Sequence, residues 1–214
     1  AGWYTAKEDI LDENGNVTAV AAGTATITAT TEDGGKRASC EVTVSESKVV
    51  NATKKKGYDA IQEAIDEAGP GDIIRVASGT YHEYLFIEKP ISLLGPNAGI
   101  PGYSEDRGPE AIITVPEDIE LDNPEGNGNA VIDIESSRVT IDGFRITGDN
   151  GNGKTNYAGC NIQAGFGIFA YVYGEREKLE FRNNVFDCFS NAGMFIVQYD
   201  EEKKDHGSID KLSI

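Results

Sequence analysis

The chain has 214 residues, 39% of them hydrophobic and 26% charged, and its 36 acidic against 19 basic side chains give a net charge of −17. That charge repels a nucleic-acid backbone and an anionic membrane surface, so neither is an expected partner. No run of about 18 apolar residues is present, which excludes a membrane-spanning helix within this sequence.

Glycine is abundant, at 25 residues, while Met and Trp occur once each; turn-rich β-structure fits this better than a helical bundle. No signal peptide begins at Ala1, so the expectation is that any export signal lies outside this stretch. Cys40, Cys160 and Cys188 lack the CxxC spacing of a metal site, and their odd number forbids a complete disulfide framework. They read as buried free thiols behaving as small hydrophobes, with a Cys160–Cys188 bridge as the alternative.

In chain order, residues 24–30 (TATITAT) alternate with a period of two. Ala25, Ile27 and Ala29 share one strand face, and Thr24, Thr26, Thr28 and Thr30 share the face expected to meet water. Asn14-Gly15 and Asp33-Gly34-Gly35 tolerate the positive φ of tight hairpin turns. The next strand is 38–44 (ASCEVTV), where Cys40 has the parity of Val42 and Val44 and is expected to face the core. NGNVTAVAAGTATITATTEDGG followed by CEVTV resembles the C-terminal half of a group 2 bacterial immunoglobulin-like domain. The resemblance implies that Trp3, in GWYTAKEDILDENGN, is the core tryptophan of a β-sandwich. The family's preceding strands are expected either upstream of Ala1 or from a partner chain that completes the sandwich by β-augmentation.

Residues 45–57 are polar, include Lys54-Lys55-Lys56, and read as a linker with a solvated lysine cluster. The one helical stripe follows: Ile61, Ala64, Ile65 and Ala68, with a capping box expected from Asp59 and Gln62 and a stop at Gly69-Pro70. Strands are then expected at 73–76, 83–87, 91–95, 111–115, 130–134, 138–146, 167–173, 178–186, 194–197 and 211–214. Two of these runs repeat. RVTIDGFRI and KLEFRNNVF align Val139/Ile141 with Leu179/Phe181, and a third copy starts at Leu212/Ile214; such unequal spacings are what stacked coils with loop insertions tolerate.

The stretch DAIQEAIDEAGPGDIIRVASGTYHEYLFIEKPISLLGPNAG resembles the capping helix and first coil of the pectin lyase-like superfamily, and VTIDGFRITG and LEFRNNVF resemble its later coils. The implied fold is all-β: a partial immunoglobulin-like module (1–46), a linker (47–57), and an N-terminally capped right-handed parallel β-helix (58–214). The coil is expected to continue beyond Ile214. Val139, Ile141, Leu179 and Phe181 are expected to point into one interior.

The family's esterases need paired aspartates and its lyases need clustered Asp with an Arg base. Asp133 and Asp142 lie on expected neighbouring strands and are weighed as a pair facing one groove, but neither matches a motif; Asp142, Arg145 and Arg182 also lack a recognisable arrangement. Asp142 and Arg182 instead fit an ion pair between successive coils. His82 and the asparagines Asn183 and Asn184 read as structural, the latter as corner residues, and His206 as solvated. No cofactor is expected; Ca²⁺ is considered only for the oxygen-rich loop 116–129, which lacks the spacing of a defined calcium loop.

The surface feature with most functional content is GIFAYVY at 167–173. If Ile168, Ala170 and Val172 fill the interior, Phe169, Tyr171 and Tyr173 project outward beside Tyr157. These four residues form the candidate contact set for an extracellular glycan or a neighbouring protein subunit. The expected function is therefore a non-catalytic secreted or cell-surface protein, a stalk or adhesive module that binds carbohydrate or self-assembles. A polysaccharide lyase or pectin esterase is the alternative, since fold alone does not choose.

Overall fold

The computed structural model describes residues 2–4, 23–30, 35–44, 47–118, 129–151, 159–173, 178–199 and 212–213. The chain divides into two units, Ala1–Ser47 and Lys48–Ile214.

The first unit holds β1 (Gly2–Tyr4), β2 (Gly23–Thr30) and β3 (Arg37–Val44) in one antiparallel sheet with β2 central. Thr24 and Thr26 are exposed and Ile27 is buried, as the alternation requires. Thr28 and Ser39 sit opposite one another with their hydroxyls 2.9 Å apart. Cys40 corrects the sequence expectation: it pairs in register with Ile27 but is an exposed free thiol. Residues 35–41, in this strand and just before it, are all exposed, so among the described residues nothing covers the face that carries Cys40. The side chain of Trp3 lies outside the described residues.

The second unit opens with β4 (Val49–Asn51) and β5 (Lys56–Tyr58), an antiparallel pair within the stretch read as a linker. The polar sequence concealed these strands because their burial rests on a few residues: Val49, Asn51 and Tyr58 are buried. Buried Asn51 donates to Asp72 at 2.8 Å, and this bond, with the Gly69 amide and nearby Lys54, holds the Asp72 carboxyl below its usual range.

Helix α1 (Ile61–Asp66) buries Ile61, Ala64 and Ile65, but its expected capping box does not form. Glu83 supplies the cap from a distant turn, its two carboxylate oxygens accepting the Ile61 and Gln62 amides at 3.0 and 2.9 Å. Gln62 is thereby freed for another task. Its amide accepts from the Phe86 N–H at 2.8 Å and donates to the Phe86 carbonyl at 3.2 Å, covering a strand edge as a neighbouring strand would. Glu83→Ala removes both cap bonds, and a loss of about 0.5–2 kcal/mol in unfolding free energy is expected by urea titration.

After β6 (Ile73–Val76) the chain runs through β7 (Gly79–His82), β8 (Leu85–Ile87), β9 (Ser92–Leu94), β10 (Ala111–Thr114), β11 (Ala130–Ile134), β12 (Val139–Asp142), β13 (Arg145–Thr147), β14 (Phe166–Tyr173), β15 (Leu179–Arg182), β16 (Val185–Asp187), β17 (Ala192–Tyr199) and β18 (Leu212–Ser213). From β7 onward, every third strand joins the same parallel sheet. The orders are β16-β13-β10-β7, β17-β14-β11-β8, and β18-β15-β12-β9-β6 continued by antiparallel β4 and β5.

In-register pairing turns single apolar positions into files that cross the sheets. Ile74, Leu93, Ile141 and Phe181 form one; Leu85, Ile132, Ile168 and Met194 a second; Tyr81, Ile113, Ile146 and Phe186 a third. Val139, Ile141, Leu179 and Phe181 are all buried in one core, as expected. Each such side chain contributes about 1.5–3 kcal/mol by leaving water.

The run read as one strand over 138–146 bends between β12 and β13, where Gly143 has φ +82° and a Cβ would fall 2.1 Å from the Ala98 amide nitrogen. Asn183, at φ +56°, makes the same corner one coil later. Its side chain donates to Asp142 at 2.8 Å, while Asn184 donates to the Ile141 carbonyl and accepts from the Phe144 amide. These asparagines therefore bind coil to coil, the structural role expected of them.

Candidate functional site

On the outward side of the β17-β14-β11-β8 sheet, the residues between the inward files form a file of their own. Phe86 and Phe169 both pair in register with Asp133, and Phe195 pairs with Phe169. Strand alternation dictates this placement, since Ile87, Ile134, Ala170 and Ile196 on the same strands point inward. Phe86 and Phe195 remain 40% and 44% exposed. The Phe169 ring lies 5.4 Å from both Phe166 and Phe195, centroid to centroid, and Phe166 lies 5.3 Å from Phe195, within the usual range of aromatic packing.

Phe86, Asp133, Ile134, Glu135 and Phe169 line a groove of about 250 Å³. Partial burial of Asp133 between the rings pushes its carboxyl above the ordinary aspartate value, and the neighbouring Glu135 charge adds to the effect. Among the described residues no hydrogen bond or ion pair meets the Asp133 carboxylate, and no basic side chain lines the groove. A half-buried carboxylate of this kind can accept a donor or a cation from a ligand.

That environment carries a stability signature. The folded protein holds the Asp133 proton more tightly than the unfolded chain, so the stability this group contributes is fully present below the ordinary aspartate pKa and is lost as pH rises through the raised one. Asp133→Asn removes the decline. At neutral pH the variant is expected to unfold at higher temperature than the parent, by no more than about 1 kcal/mol given solvent screening, and the difference should vanish in acid. Calorimetry at the two pH values measures it.

Of the residues singled out in the sequence, Phe169 lies in the groove. Tyr157 and the side chains of Tyr171 and Tyr173 lie outside the described residues, as do His206 and most of the loop 116–129. Phe86 and Phe195 were missed. Asp133 had been considered only as half of a catalytic pair with Asp142, and the two sit in different sheets.

Asp142 is buried and accepts the Gly99 amide and the Asn183 side chain. Its expected partner Arg182 is opposite in register at 3.9 Å, while also pairing with Glu180 at 3.1 Å. Arg145 lies on another sheet, paired with Asp187 at 2.8 Å. The candidate lyase set is thus dispersed among structural contacts. His82 is likewise structural, one ring nitrogen 3.2 Å from the Val115 carbonyl and the other 3.2 Å from Glu117.

Cys160 and Cys188 form a disulfide, correcting their reading as free thiols. Topology is the reason: Cys188 follows β16, the sheet neighbour of β13, and Cys160 lies on the segment that returns from β13 to β14. The carboxylate of Asp149 lies within 4.8 Å of both sulfurs, but disulfide sulfurs are not thiolate ligands for a metal.

The chain is all-β, with a second unit built mainly of parallel sheets. Residues 7–42 match the family model of the Bacterial Ig-like domain (group 2). No curated protein and no solved structure matches the chain.

Proposed function

We propose that the second unit is a right-handed parallel β-helix serving as an adhesive module of a secreted or cell-surface bacterial protein, with the Ig-like segment as a spacer and the aromatic sheet face as the contact for extracellular glycan. The observation that carries this reading is the outward file in which Phe86 and Phe195 are exposed on either side of part-buried Phe169, because exposed aromatic rings on a rigid sheet offer flat apolar faces on which sugar rings stack. The rotation of strands through three parallel sheets supports the β-helix, as does the resemblance of residues 58–214 to the pectin lyase-like superfamily; parallel crossovers are right-handed in nearly all cases. Group 2 Ig-like domains occur in extracellular and surface bacterial proteins, often as adhesive or spacer modules. The Cys160–Cys188 disulfide fits an oxidising compartment.

Binding is favoured over catalysis because, among the described residues, the groove is lined by no basic side chain that could serve as the base of a lyase. Glycan-array binding by the whole chain tests the proposal. Phe169→Ala and Phe195→Ala should each weaken the signal roughly two- to tenfold. A blank array, or release of product from the polysaccharide in place of retention, would remove this reading.

A further inference from the structure

We infer that the groove between Phe86 and Phe169 selects glycans carrying free amino groups, with a protonated sugar amine seated against Asp133. This inference rests on the glycan-binding reading above and adds the sign of the ligand's charge.

The groove's polar side chains are two carboxylates, Asp133 and exposed Glu135, and its remaining walls are Phe86, Phe169 and Ile134. Among the described residues, no cation neutralises Asp133 from the protein side. Its carboxylate sits between two rings whose faces carry the negative side of a quadrupole, and such faces attract a cation and repel an anion. The chain as a whole carries −17. A uronic-acid polymer would therefore meet repulsion at long range and again inside the groove. A neutral sugar could stack on the rings but would leave the carboxylate's charge unanswered.

An ammonium group satisfies both features at once, pairing with Asp133 and resting its charge against the aromatic faces, while the pyranose ring covers Phe169. Size agrees with a single residue of the polymer: about 250 Å³ lies below the range of roughly 300–1,000 Å³ that holds a drug-sized ligand. Glu135, at the exposed side, reinforces the attraction without being enclosed. The site is also held in shape, because the backbone of Phe86 is clamped on both its N–H and its carbonyl by Gln62.

The test is titration calorimetry of the whole chain at near-neutral pH against four oligosaccharides of equal length: glucosamine, N-acetylglucosamine, glucose and galacturonate. The expected result is that the glucosamine oligomer binds tightest, that added salt weakens it, and that Asp133→Asn loses about tenfold or more for this oligomer alone. Phe169→Ala should weaken the glucosamine oligomer as well. The wild-type comparison of free with acetylated amine is independent of any variant's folding. Equal binding of the acetylated or glucose oligomer, with Asp133→Asn unaffected, would overturn the inference while leaving the aromatic face as a glycan contact. Preference for galacturonate would also overturn it. Failure of all four to bind would remove the inference together with the glycan-binding reading.

Discussion

Phe144→Ala is expected to lower the unfolding free energy of the second unit by about 3–5 kcal/mol. Phe144 follows the Gly143 corner and is completely buried in the interior shared by the parallel sheets. Its backbone is occupied independently of its ring, the amide donating to Asn184 at 3.0 Å and the carbonyl accepting from Val185 at 2.8 Å. Alanine keeps both bonds, so the whole effect belongs to lost packing and to the cavity left behind. The walls are poorly placed to fill it. Gly95 on the preceding coil already approaches so closely that a Cβ there would stand 3.2 Å from the Phe144 ring and 2.4 Å from the Gly143 carbonyl oxygen. Denaturant titration followed by far-ultraviolet circular dichroism measures the loss. A loss below about 1 kcal/mol would mean that the Phe144 ring is not enclosed.

Opening the Cys160–Cys188 bridge is the second large effect. The bond closes a loop with a sequence separation of 28, for which restriction of the unfolded chain accounts for about 3–4 kcal/mol. The loss should be the same for reductant and for Cys160→Ser combined with Cys188→Ser, because the sulfurs have no other role in the fold. Its location should be specific. The segment returning to β14 keeps other attachments, the Gln163 amide to the Gly148 carbonyl at 2.8 Å and the Ser190 amide to the Ala164 carbonyl at 3.2 Å. Reduction is therefore expected to raise hydrogen exchange first around 159–165 and 188–191, and only later in β11 and β12. Unchanged stability and exchange in reductant would contradict the bridge.

The repeat of the strands was legible in the sequence because parallel, in-register pairing places like residues at like positions. The alignment of Val139/Ile141 with Leu179/Phe181, and of Leu179 with Leu212, is the observed strand register. Strands whose burial depends on few side chains were not legible: β7 was missed, with Tyr81 its one buried residue, and β4 and β5 were read as linker. The Glu83 cap was hidden for a different reason, since local spacing offered Asp59 and Gln62 while the actual acceptor comes from beyond β7.

The same contrast holds at the groove. Phe169 stood out because Ile168 and Ala170 alternate with it, and the outward face follows from one strand alone. Phe86 lies between Leu85 and Ile87, so its strand reads as apolar throughout and conceals an exposed ring. The setting of Asp133 depends on residues one coil before and one coil after it. Only the register of three strands brings Phe86 and Phe169 to its two sides.

The border formed by β5 has a consequence for how copies of this molecule meet. Lys54, Lys55 and Lys56 are exposed there, and β5 runs against the direction of the strand beside it. A second molecule lining up its backbone along this margin would have to displace the Lys56–Glu67 ion pair, 2.5 Å long, and desolvate the exposed lysines beside it. Backbone pairing between copies is therefore disfavoured along that margin.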